Sequence, residues 1–391
     1  MNNIFTKVIL KAISIFIPTK RNLFIFGSWF SMKYGDNPKY FFEYLLKMKR
    51  KDIYWYTRNI TLYNHLRKLG IPVIYGISIK NIFLHLRAQA VFCNCSPDSD
   101  LLGFAINRKT TVFNLWHGTP MKKIGNDAKK DIKNNKNLGV KSHKIENIIR
   151  RFIPKYIINI LKPNTYFLAS SNQVATNLIS AFNLSSKNII INGYPKLDSI
   201  ISRHCLSPNN NILYSPTYRG EYNSIYDILT SNGFVAKSIN SKLSALNYNL
   251  IIRLHPANKL PPPLISEIEK YSNIQLDDSN DDIYSTLDRY KLVITDFSSL
   301  YFDALAIKTN VVIAPFDISN YKKQDRGLYY DINKLFPFKK SYNWPQLVDN
   351  LDYYLNLNFS DFENLRDEFY PYDLHVDTSE SLLKKIDLIL G

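Results

Sequence analysis

Two histidines sit where a fold of alternating strands and helices places its chemistry. His117 ends the run TTVFNLWHGTP and His255 ends NLIIRLHP, each directly after an apolar segment of strand character. A histidine titrates near neutrality. His117 is therefore a candidate base toward an attacking hydroxyl, and His255 a candidate partner for a phosphate oxygen or a leaving group. A solitary histidine is more often a satisfied core group, but neither of these is solitary. After His117 come Gly118 and Pro120, which shape a tight loop around Thr119, and then Lys122 and Lys123, which attract phosphate. Thr217 and Arg219 follow ILYSP, Arg253 precedes His255 by two positions, and Asp296, Ser298 and Ser299 end LVITDFSS. That last segment reads as a strand delivering two serines to the first turn of a helix. Unpaired backbone N–H groups and the helix dipole make such a turn an anion site. One serine alone is an ordinary N-cap; the second serine, with Arg219 and His255, points to phosphate.

Residues that follow strands meet only if the strands lie parallel in one sheet, and the chain is built for that. RNLFIFGSW, KDIYWYTRN, QAVFCNCSP and TTVFNLWHGTP succeed one another, separated by helical stretches such as NPKYFFEYLLKMKR and TLYNHLRKLG. NTYFLASS, NIIINGYP, NILYSPTYR, NLIIRLHP, KLVITDFSS and NVVIAPFD continue the alternation. A Pro/Asn turn in RHCLSPNNN divides the two sets. The expected fold class is α/β, two Rossmann-like domains facing each other across a cleft: residues 1–205 and residues 206–391, with the last helix packing back on the first domain.

Composition bounds the partners. The 391 residues carry 50 Lys+Arg against 33 Asp+Glu, a net charge of +17, which favours polyanions: nucleic acid, phosphorylated substrates or an anionic membrane face. No nucleic-acid-binding motif is present, so nucleic acid is not an expected partner. Cys93, Cys95 and Cys205 are an odd, sparse set with no second ligand pair, and read as structural. No cofactor is expected. No Asp-x-Asp motif marks a magnesium site, and the pairs Asp277-Asp278 and Asp281-Asp282 read as a solvated loop that only just leaves magnesium open. The opening MNNIFTKVILKAISIFIPTKRN is shorter in apolar length than the ~20 residues of a spanning helix. Its stripe of Lys7, Lys11 and Ser14 suits a helix lying in the membrane interface, as do Arg150, Arg151, Lys155 and Lys162 in residues 142–164.

The motifs LWHGTPMKKIG, NGYPKLD, ILYSPTYR, RLHP, ITDFSSLYFDALAIK and QDRGLYYD, in that order, resemble the CDP-glycerol glycerophosphotransferases of teichoic-acid synthesis from roughly residue 90 to the end. The resemblance implies a GT-B fold with a membrane-attached acceptor domain and a C-terminal domain for a CDP-activated donor. It assigns His117 and His255 as the catalytic pair and places Thr217, Arg219, Ser298 and Ser299 on the donor pyrophosphate. Asp325, Arg326 and Gly327 belong to a loop nearby. The implied reaction moves glycerol phosphate, or a related polyol phosphate, from the CDP donor to a lipid-linked or polymeric envelope glycan at the cytoplasmic membrane face and releases CMP. A GT-B glycosyltransferase using a nucleotide sugar is the alternative.

Overall fold

The computed structural model describes residues 14, 16–128, 162–201, 209–217, 219, 224–255, 258–279, 282–319, 327–372 and 377–391. Among them, seven strands form the first sheet: β1 (Lys20–Phe26), β2 (Ile53–Thr57), β3 (Val73–Tyr75), β4 (Ala88–Cys93), β5 (Thr111–Asn114), β6 (Thr165–Ala169) and β7 (Ile189–Ile191). Their order is β3-β2-β1-β4-β5-β6-β7, and every pairing is parallel. Strands such as FIF, VFC and TVFN are apolar on both faces because helices cover both sides of the sheet.

The second sheet follows the same plan. Its strands are β8 (Asn211–Tyr214), β10 (Asn249–Ile252), β12 (Ile274–Leu276), β13 (Leu292–Thr295) and β14 (Val311–Ile313), in the order β12-β10-β8-β13-β14, again all parallel. A two-stranded ribbon of β9 (Ser224–Ile225) and β11 (Asn258–Lys259) flanks it. Each sheet therefore reverses its winding beside its first strand, between β1 and β4 and between β8 and β13. Crevices open at such switch points, outside the carboxyl ends of the strands. The loops that leave β1, β4, β8 and β13 flank these switch points, and those that leave β5 and β10 lie beside them.

The closing helix Thr378–Leu390 returns to the first lobe. Asp198 accepts the backbone N–H groups of Thr378 and Ser379 at 3.0 and 2.9 Å, and Lys385 Nζ donates to the Ile191 carbonyl at 2.7 Å. Of the membrane-interface segments of the sequence reading, residues 1–13, 15 and 142–161 lie outside the described residues, as does Cys205; Ser14 of the expected polar stripe is fully buried.

Candidate active site

His117 leaves β5 on a backbone that is strained on either side. Trp116 has φ +53°, and Gly118 has φ +130°, a conformation that suits glycine. A Cβ at Gly118 would stand 3.2 Å from Lys196 Nζ and 3.4 Å from Ser299 Cβ, so the loop touches the second lobe where DFSS begins its helix. The His117 ring stacks on Trp116, centroids 4.3 Å apart, and meets Trp29 at 5.3 Å. Its Nδ1 lies 3.1 Å from the Asn94 carbonyl. A carbonyl only accepts, so Nδ1 carries the proton and Nε2 keeps its lone pair. Asn94 is held in turn: its Nδ2 donates to Asp36 Oδ2 at 3.2 Å, and its backbone N–H donates to Asp100.

Burial pushes the His117 pKa down; Asp36 and the Asn94 carbonyl pull against that, and Lys196 reinforces it. A base works only when neutral, so a lowered pKa keeps His117 competent to pH values below the ordinary 6.5. The acid limb of kcat/KM is expected below that value. Asp36→Asn removes the carboxylate that favours the charged form and should move the limb lower still. A pH–rate profile of the variant checks this, and an unmoved or raised limb would count against the contact.

His255 faces His117's loop from the second lobe. Burial lowers its pKa to about 4, and Lys122 and Lys33 of the first lobe add to the effect. It is thus neutral at physiological pH until an anion arrives to draw its pKa up. With Ser215, Thr217, Arg253, Tyr284, Ser298 and Ser299 it lines a cavity of about 1240 Å³ in the second lobe. Ser298 Oγ accepts the Leu300 N–H at 3.2 Å, which makes it the capping serine, whereas Ser299 makes no cap bond.

Arg219 was expected to bring positive charge to a pyrophosphate, yet its guanidinium is spoken for. It forms a fork on Asp317, 3.0 Å to each carboxylate oxygen, and also reaches Asp296 at 2.8 Å and the Thr217 carbonyl at 2.9 Å. Asp296 further accepts the Thr217 N–H and hydroxyl at 2.8 and 2.9 Å. Asp296 and Arg219 therefore brace the Thr217 loop, and two carboxylates offset the one guanidinium. Arg253 is similarly paired, 2.8 Å from Asp277. Asp277 is thus part of an ion pair rather than a solvated loop, and Asp282 is bound across the cleft by Tyr40 Oη at 2.8 Å. Thr119 is fully buried with its hydroxyl on Ser170 at 3.1 Å, so it anchors its loop from behind. Gly327 joins the lobes: its carbonyl accepts the Lys123 N–H at 2.8 Å beside a bridge between Lys122 and Leu328. Asp325 and Arg326 lie outside the described residues. Among the described residues no cluster of His, Cys, Asp or Glu is placed to hold a metal ion.

Two residues central to this geometry were not singled out in the sequence, Asp36 and Lys196. Both follow turns, in GDNP and NGYPKLD, and nothing in their local sequence marks either as buried.

The family model for CDP-glycerol:poly(glycerophosphate) glycerophosphotransferases matches residues 9–381. The chain belongs to that family. The match reaches well before residue 90, where the motif resemblance began. Among glycerophosphotransferase relatives, the teichoic acid glycerol-phosphate transferase of Staphylococcus aureus is 26% identical over 86% of this chain and 84% of its own length. A teichoic acid poly(glycerol phosphate) polymerase of Bacillus spizizenii is 25% identical over 96% and 93%. The solved wall teichoic acid polymerase TagF superposes with a TM-score of 0.68 at 21% identity, covering 98% of this chain and 92% of that one. That likeness bears on fold, and it agrees with the expected GT-B-like architecture. As a family member, the chain is a transferase enzyme.

Proposed function

We propose that this glycerophosphotransferase transfers glycerol phosphate from CDP-glycerol to a hydroxyl of a lipid-linked or polymeric teichoic-acid-type glycan. The acceptor oxygen gives its proton to His117 Nε2 and bonds to the β-phosphorus, the bond from that phosphorus to the bridging oxygen breaks, and CMP leaves. The observation that carries this reading is the tautomer that the Asn94 carbonyl favours at His117, on a loop whose next residue, Gly118, meets Ser299 of the wall of a nucleotide-sized cavity. Phosphoryl transfer demands in-line positioning and neutralisation of oxygen charge more than covalent help. Lys122, Lys123, His255 and the N–H groups at Ser299 supply that, without a metal in the reading favoured here. Incubation with CDP-glycerol, CDP-ribitol and UDP- or CMP-sugars tests it: CMP should appear with CDP-glycerol and an envelope acceptor, and release of nucleotide only from a sugar donor would overturn it.

With a lipid-linked acceptor the proposed reaction would take place at the cytoplasmic membrane face, with the enzyme peripheral to it. No helix among the described residues is long and apolar enough to cross a membrane. Support comes from the helix Ile79–Arg87, where Ile79 and Phe83, 89% and 51% exposed, share one face, with Arg87 stacked on Phe83. Exposed apolar groups ringed by cations are how a protein rests on anionic lipid. Substituting both by aspartate should reduce co-sedimentation with phosphatidylglycerol vesicles several-fold and leave phosphatidylcholine controls unchanged; undiminished sedimentation would reject this surface.

A further inference from the structure

Lys196 is a charged side chain with no exposed surface, and the proton-transfer step as described does not use it. Its Nζ donates to three groups: the Asp303 carboxylate at 2.9 Å, the Tyr284 hydroxyl at 2.6 Å and the His117 carbonyl at 3.1 Å. Asp36 lies 3.9 Å away. Lys196 belongs to the first lobe, Tyr284 and Asp303 to the second, and Tyr284 lines the large cavity. The Tyr284 hydroxyl also donates to Asp303 at 2.7 Å, which fixes the ring from the cavity side. Placing an ammonium in so dry a site is costly unless every donor is used. Here all three protons are directed, and the ammonium thereby ties Tyr284 of the cavity wall to the backbone carbonyl of His117.

We infer that Lys196 is a positioning residue, a clamp that sets the His117 backbone in register with the donor cavity through Tyr284 and Asp303. The inference rests on the glycerophosphotransferase reading for its kinetic consequence only. A misplacement of about 1 Å at a reacting group costs on the order of 10²-fold in rate. Loss of the clamp therefore lowers kcat and leaves the donor KM nearly unchanged, because the cavity keeps its own lining.

Lys196→Met alone strands the Asp303 carboxylate and threatens folding, so the informative variant is Lys196→Met with Asp303→Asn. Asparagine keeps an acceptor for Tyr284, and no buried charge is left without its partner at that pair. The double variant should unfold at a higher temperature than the single one. Amide exchange over residues 115–121 should accelerate about tenfold as the loop loses its tether, while β13 is unaffected. With CDP-glycerol, kcat should fall about 10²-fold, the cost expected of a misplaced group, at a KM within about threefold of the parent. Unchanged exchange in the loop overturns the inference, as does accelerated exchange with kcat retained within twofold, or a rise in KM alone. If the parent enzyme itself released no CMP from CDP-glycerol, that would count against the donor assignment, and the exchange measurement would still decide the clamp.

Discussion

Replacing His117 by alanine is expected to lower turnover by about 10²–10⁴-fold, the usual worth of a positioned general base, with CDP-glycerol still bound. The donor cavity is lined by the second lobe and does not include His117, so truncation of the imidazole leaves its walls in place. What disappears is the Nε2 lone pair that the Nδ1 to Asn94 hydrogen bond holds ready. Rapid-mixing measurements of CMP release, with equilibrium binding of the donor to the same variant, separate the two effects. A variant whose kcat stayed within threefold of the parent would remove His117 from the reaction. One that lost donor binding outright would instead make it part of the nucleotide site.

The second large effect concerns Arg219. With its side chain only 10% exposed, between Asp296 at 5% and Asp317 at 23%, truncation to alanine abandons two carboxylates in a poorly hydrated site. Breaking a buried pair in this way costs about 3–5 kcal/mol. The Thr217 loop loses its brace at the same time, so the donor KM should rise along with the loss of stability. Arg219→Lys should recover only part of either, since an ammonium cannot fork onto Asp317 while also reaching Asp296. Urea titrations of the three proteins provide the comparison. An alanine variant less than about 1 kcal/mol below the parent would put the network in the class of weak, exposed ion pairs.

Strands buried on both faces announce themselves as apolar runs, which is why β1, β4, β5, β8, β10 and β13 were legible. β3 and β12 were not: each is three residues long, at a sheet edge, and PVIY and NIQL carry too little pattern to distinguish from loop. The site was read in part. His117, His255 and the DFSS serines follow strands, and in a parallel sheet that alone predicts convergence. What could not be read was pairing. Arg219 looked available because Asp317, nearly a hundred positions later, is invisible to local inspection. Lys196 was passed over for the same reason, since lysines are seldom fully buried and its partner Asp303 lies 107 positions away.

Just after β1, Trp29, Phe30 and Ser31 take φ values of +46°, +61° and +63° in succession. Each such residue costs on the order of 1–3 kcal/mol, and the wound segment is latched by Asn94, which takes the Trp29 N–H at 3.0 Å, and by Asp100, which takes that of Phe30 at 2.9 Å. Asn94 is the residue whose carbonyl also orients His117. One asparagine thus cocks a spring and aims a base at once. Trp29 meets the His117 ring at 5.3 Å, so the surroundings of the imidazole are fixed in advance; in the proposed reaction that leaves little ordering entropy for the acceptor to supply.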